Sequence, residues 1–242
     1  MTRISLLLFA FLLGMRHATD PDHLVAVSTV LSRSAGLKPA ALIGVFWGLG
    51  HSLSILVLGV AIVMFKVVIP PHVGLGFELA VAVMLVGLGL RNLRRYSRAG
   101  DSHEGDSHDD RGVLASSSVR FAPPPEQPEL GVVVAMRSLF IGGVHGLAGS
   151  AAIVLLAVGS IHDPGWAAAC LSIFGVGTLA GMTLMTSVLA VPLAMGFRRA
   201  GAPGRLLAPA MGVLSVGFGL MLAYRVGFVD GLFSFHPTWI PQ

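Results

Sequence analysis

The sequence predicts an all-α polytopic membrane protein, with six transmembrane helices arranged as two inverted three-helix repeats. Three observations carry that expectation. Of 242 residues, 54% are hydrophobic and only 12% are charged, where soluble chains carry about 25% charge; mean hydropathy is +0.81. Twelve of the 28 charges crowd into the stretch between Arg94 and Leu130, so the remainder is poorer still. Short motifs also recur, in order, in the two halves. No soluble surface can be built from so few charges.

The formal net charge of +4 sits in basic residues between apolar runs. The positive-inside rule accounts for it there, and it is no nucleic-acid signal. A single cysteine, Cys170, excludes an intrachain disulfide or a cysteine metal cluster. No HExxH, P-loop or GxSxG pattern is present, so nothing points to an enzyme or a bound cofactor.

Six apolar segments, near 4–32, 40–65, 74–93, 131–158, 165–196 and 206–227, can each cross a hydrocarbon core of ~30 Å as helix. Helix is the default because an isolated span must pair its backbone groups internally. The first segment opens after Arg3 like a signal peptide. It lacks a small-residue cleavage site and runs into a polar cluster, so a retained span is expected. Short connections follow spans one, two, four and five. Span three is followed instead by 94–130, with Asp/Ser/Gly runs, Ser116-Ser117-Ser118 and Pro123-Pro124-Pro125. That composition cannot bury a core and predicts a flexible linker. The chain thus divides into a first three-helix half (1–93), the linker (94–130) and a second three-helix half (131–242).

Lys and Arg set the orientation. The loops after spans one, three and five hold Arg33, Lys38, Arg91, Arg94, Arg95, Arg98, Arg111, Arg120, Arg198, Arg199 and Arg205. The opposite side holds Arg3, Lys66 and Arg225. The linker is expected in the cytoplasm, with both termini outside.

The repeat is read from three matches. Gly14-Met15-Arg16-His17 returns as Gly142-Gly143-Val144-His145, 128 residues on. Trp47-Gly48-Leu49-Gly50 returns as Phe174-Gly175-Val176-Gly177 at an offset of 127. Val86-Gly87-Leu88-Gly89-Leu90 returns as Val216-Gly217-Phe218-Gly219-Leu220 at 130. Three spans per half is an odd number, so the second half must be inverted. That architecture recurs in transporters, with sites at interrupted helices near mid-membrane. Glycines recurring through small-xxx-small packing are the plainer alternative.

The chemistry concentrates in Gly14-Met15-Arg16-His17-Ala18-Thr19-Asp20-Pro21-Asp22-His23. A helix from Ile4 to Arg16 rises only ~20 Å, so Leu24–Leu31 must complete the span and the polar cluster lies within the membrane or very near its edge. Arg16, Asp20 and Asp22 would together cost ~8–10 kcal/mol there if unpaired. Pro21 disfavours helix at Asp20 and itself suits the first position of a new helix, so the first span should break at Asp20-Pro21. Carbonyls, carboxylates and imidazoles at a break suit a hydrated divalent cation. Imidazole with oxygen favours Ni²⁺, Co²⁺, Zn²⁺ or Cu²⁺ over Mg²⁺ or Ca²⁺. The candidate ligands are His17, Asp20, Asp22 and His23. His51, in Gly50-His51-Ser52, and His145, the repeat counterpart of His17, complete the set. The alternative is a structural ion network in which Arg16 neutralises the acids and the histidines are hydrogen-bonded. Ser150 and Thr178 are assigned no ligand role; His72 and His162, in outer loops, and His236, beyond the last span, are expected in solvent. His103 and His108 belong to an acidic string in the linker, Asp101–Asp110.

The span-one string resembles the His-x4-Asp-His signature of the nickel/cobalt transporter family, here His17, Asp22 and His23. Gly50-His51-Ser52 resembles that family's second motif, a Leu-Gly-His-Ser sequence. The resemblance implies secondary transport of Ni²⁺ and/or Co²⁺ across the cytoplasmic membrane, the ion being substrate and the lipid bilayer the surroundings. The second half departs from the pattern. Val144-His145-Gly146-Leu147-Ala148-Gly149 and Gly181-Met182-Thr183-Leu184-Met185-Thr186-Ser187 stand where better-known members carry acidic motifs. The chain is more similar to a shorter six-span group associated with urease accessory functions, which implies metal-delivery partners for urease or hydrogenase. Three rivals are kept: a permease using the His/Asp cluster as a proton relay, a haem or redox membrane protein, and a non-transporting assembly factor. Histidines clustered with carboxylates argue against haem, which wants them alone in apolar surroundings.

Overall fold

The computed structural model describes residues 3–31, 37–66, 69–101, 128–148, 161, 163–199, 202–234 and 237. Among them all regular structure is helical. Helices α1 (Arg3–His17) and α2 (Pro21–Leu31) have 15 and 11 residues, each too short to cross alone. They are followed by α3 (Leu37–Phe65), α4 (Pro71–Asp101), α5 (Pro128–Gly146), α6 (Pro164–Arg199) and α7 (Ala202–Tyr224), which a π-helical turn, Arg225–Val229, prolongs. Four stretches are long and apolar enough to cross a membrane: Leu37–Phe65, Pro71–Ser97, Pro164–Pro192 and Pro209–Val229. Gly131–Gly146 in α5 is a shorter apolar helix. The protein is a multi-pass membrane protein.

Two details differ from the sequence reading. α4 continues to Asp101, beyond the expected end of span three at 93. No proline interrupts Leu93–Asp101, its arginines are good helix formers, and the Ser97 hydroxyl donates back to the Leu93 carbonyl at 3.2 Å. His72 is exposed as expected, but in the first turn of α4 and not in a loop. His103, His108, Ser150, His162, His236, the string after Asp101 and the 149–158 part of span four lie outside the described residues.

The helices do not pack half by half. The four most extensive packings, α1 on α6, α3 on α5, α3 on α6 and α4 on α7, each join a helix of the first half to one of the second. The main buried cluster is mixed in the same way, with Ala26, Leu31, Ile43, Trp47, Val81 and Leu85 meeting Ile141, Met182 and Ala190. Large apolar side chains such as Leu8, Leu53, Val83, Phe140 and Val188 are exposed on the outside, as lipid-facing positions are.

The close approaches come in matched pairs. A Cβ on Gly14 would run into the Phe174 carbonyl oxygen, and one on Gly142 into that of Trp47. Likewise Gly177 abuts the Phe11 carbonyl and Gly50 the Leu139 carbonyl. On the α4–α7 seam, a Cβ on Gly89 would lie 2.6 Å from the Gly212 oxygen and one on Gly219 would lie 2.8 Å from that of Ala82. Each contact maps onto its partner under the sequence offsets. Glycine is required because backbone meets backbone.

Candidate metal centre

The helix breaks between α1 and α2 where the proline predicts. Past His17, the Thr19 and Asp20 N–H groups donate to the Arg16 and His17 carbonyls at 2.9 and 3.1 Å, tightening the last turn. Helix α2 then starts at Pro21, which has no N–H to leave unpaired. The Asp20 carbonyl accepts the Leu24 N–H at 3.2 Å, as the residue before a first turn should. The end of α5 repeats this turn. Leu147 and Ala148 donate to the Val144 and His145 carbonyls at 3.3 and 3.1 Å, the same register in the second half.

This geometry collects five of the six expected site residues. His17 and His23 flank the break, His51 comes from the middle of α3 and His145 from the last turn of α5. Relative exposures are 7%, 1%, 0% and 0%. Two sets offer donor atoms within 4.8 Å of one another: His17, His23 and His51, and Asp22, His23 and His145. His23 belongs to both. Asp20, the sixth, stands beside the first set with a carboxylate oxygen 2.9 Å from His17 Nδ1. Arg16 is exposed, and the contacts to Asp20 and Asp22 come from the imidazoles of His17, His23 and His145.

The hydrogen bonds fix where the ring protons sit, if the carboxylates are ionised and the rings neutral. Asp20 accepts from His17 Nδ1, which leaves His17 Nε2 a lone pair. That nitrogen lies 2.9 Å from His51 Nε2, so His51 donates from Nε2 and its Nδ1 is bare. Asp22 uses both oxygens. Oδ1 accepts the His23 backbone N–H at 2.9 Å and its Nδ1–H at 3.1 Å, while Oδ2 accepts from His145 Nε2 at 2.9 Å. The remaining nitrogens, His23 Nε2, His51 Nδ1 and His145 Nδ1, are buried and have no hydrogen-bond partner among the described residues. A buried polar atom left unpaired costs about 1–3 kcal/mol. Three unpartnered imidazole nitrogens within one histidine cluster are a costly arrangement and leave lone pairs that suit a cation.

Two aromatic walls went unremarked in the sequence. The His17 ring lies 5.7 Å from Phe174, and that of His145 lies 6.0 Å from Trp47. The signal was present, since the repeat pairs Trp47 with Phe174 and His17 with His145. The repeat position of His51 is Thr178, whose hydroxyl donates to the Phe174 carbonyl at 3.0 Å. The donors are therefore unevenly shared, with the first half supplying most of them.

The family model described as "High-affinity nickel-transport protein" matches residues 3–230. A curated relative, "Urease accessory protein UreH" of Bacillus sp. (strain TB-90), is 31% identical over 239 residues, which cover 98% of this chain and 97% of that protein. No solved structure matches.

Proposed function

This chain belongs to the family of high-affinity nickel-transport proteins, and we propose that it moves Ni²⁺ or Co²⁺ across the cytoplasmic membrane by secondary transport, at a site built on His17, His23 and His51. It is a transporter and not an enzyme. The observation that carries the site is the convergence of His17, His23 and His51, all buried, with donor atoms within 4.8 Å of one another at a broken membrane helix. Neutral imidazole suits borderline divalent ions. The 2.9 Å between His17 Nε2 and His51 Nε2 matches the edge of roughly 2.9 Å that two cis donors make at ~2.05 Å from one ion. The ion would take the place of the proton that the two rings share, and that proton would pass to the bare Nδ1 of His51.

Asp20 and Asp22 have a second task in this reading. Each holds an imidazole by its N–H, fixing the tautomer and aiming the other nitrogen at the ion, as carboxylates behind metal-ligating histidines do. Asp22 is the more enclosed, its side chain 20% exposed against 37% for Asp20, and its charge is the less screened.

The framework is six spans in two inverted halves joined by a cytoplasmic linker, both termini outside. The matched glycine contacts and the repeated turn after His17 and His145 support it, as does the bias of basic residues. The relative's name supports a link to urease, with the moved ion destined for a nickel enzyme. The test is ⁶³Ni²⁺ and ⁵⁷Co²⁺ flux in proteoliposomes of known orientation. Saturable flux that His17→Ala removes is expected. Wild-type vesicles no more permeable than empty ones would end the proposal.

A further inference from the structure

Resting on that reading of the site, we propose that the permeating ion occupies a second subsite formed by Asp22, His23 and His145, through which it passes between the two halves of the molecule. The first set draws all its donors from the first half: His17 on α1, His23 on α2 and His51 on α3. The second set adds His145 from α5 and is the place where first-half and second-half donors converge on one point. Its donor set is two imidazoles and a carboxylate, suited to the same borderline divalent cations.

Two observations suit this subsite to a ligand. The donor atoms of Asp22, His23 and His145 lie within 4.8 Å of one another. His145, fully buried, also has an Nδ1 without a hydrogen-bond partner among the described residues, free to receive a proton from its Asp22-facing Nε2. Asp22 bridges the two rings, with Nδ1 of His23 and Nε2 of His145 on its two oxygens. The bare nitrogen of each ring can take up the proton that its Asp22-facing nitrogen gives up. An ion can therefore replace the two N–H contacts to Asp22 without any proton leaving the pair.

His23 lies in both sets, and its ring centroid is 5.0 Å from that of His51 and 4.3 Å from that of His145. The subsites overlap at this ring, so an ion in one excludes an ion from the other. The ion changes subsite by changing which nitrogen of His23 it holds, with Asp22 turning from orienting group to ligand. His145 thereby serves passage more than capture.

The test uses the full chain and Ni²⁺ or Co²⁺ alone. His145→Gln keeps a donor for Asp22 but loses the imidazole. Equilibrium binding to the purified variant should stay near wild type while flux falls by at least about tenfold; His51→Ala should weaken binding by at least about tenfold. Wild-type flux in His145→Gln would overturn the second subsite and leave the first standing. So would a loss of binding equal to that of His51→Ala, which makes His145 a ligand of one common site. Undiminished binding in His51→Ala would instead sink the underlying site. A further measurement needs no His145 variant. His51→Ala loaded at high Co²⁺ should show a shell of two imidazoles and a carboxylate by X-ray absorption, and a shell lacking the carboxylate contradicts the inference.

Discussion

At the scale of single residues, the two carboxylates are separable by geometry. Asp22 holds three hydrogen bonds in the cluster, to His23 N, His23 Nδ1 and His145 Nε2, whereas Asp20 holds His17 from a more open position. Asp22→Asn keeps the shape but removes the charge and gives one contact a donor facing a donor. Calorimetric titration with Ni²⁺ should show affinity reduced by about 10–100-fold, with a smaller loss for Asp20→Asn. Equal effects would remove the distinction. The sequence made the cluster legible because ionisable residues inside a span need partners. It could not show that the acids face N–H groups, since that depends on which way α2 leaves the break.

At the scale of elements, the helices meet backbone to backbone at their glycines. The Gly14 and Gly142 approaches to the Phe174 and Trp47 carbonyls leave no room for a methyl group. Gly87, a repeat residue as well, faces open space. Gly14→Ala and Gly142→Ala should each destabilise the protein by about 1–3 kcal/mol through overpacking. Gly87→Ala should be neutral or stabilising by up to about 1 kcal/mol, as alanine favours helix. Thermal unfolding in detergent checks the contrast, and a Gly87→Ala variant as damaged as Gly14→Ala would refute it. The break at Asp20-Pro21 was legible from local rules, because proline acts on its own neighbours. The extension of α4 to Asp101 was not, because the arginines that end an apolar run do not end a helix.

At the scale of the whole molecule, the two halves expected from the sequence do not pack as independent cores. Their helices interleave, with α1 on α6, α3 on α5 and α4 on α7. Offsets between motifs reveal that two segments are alike but carry no information on which packs against which. Interleaving makes each half the other's support and brings His145 to Asp22 across the repeat. Orientation rests on the basic residues. A periplasm-active reporter fused at Gln242 should be active and one near Gly105 inactive, and the reverse pattern would invert the protein. The central claim is that His17, His23 and His51 hold the transported ion. X-ray absorption at the nickel edge of purified protein loaded with one equivalent of Ni²⁺ tests it most directly. The expected shell contains three imidazole nitrogens at ~2.1 Å, one of them lost in His51→Ala. A shell of oxygens alone, or one that His51→Ala leaves unchanged, would contradict it.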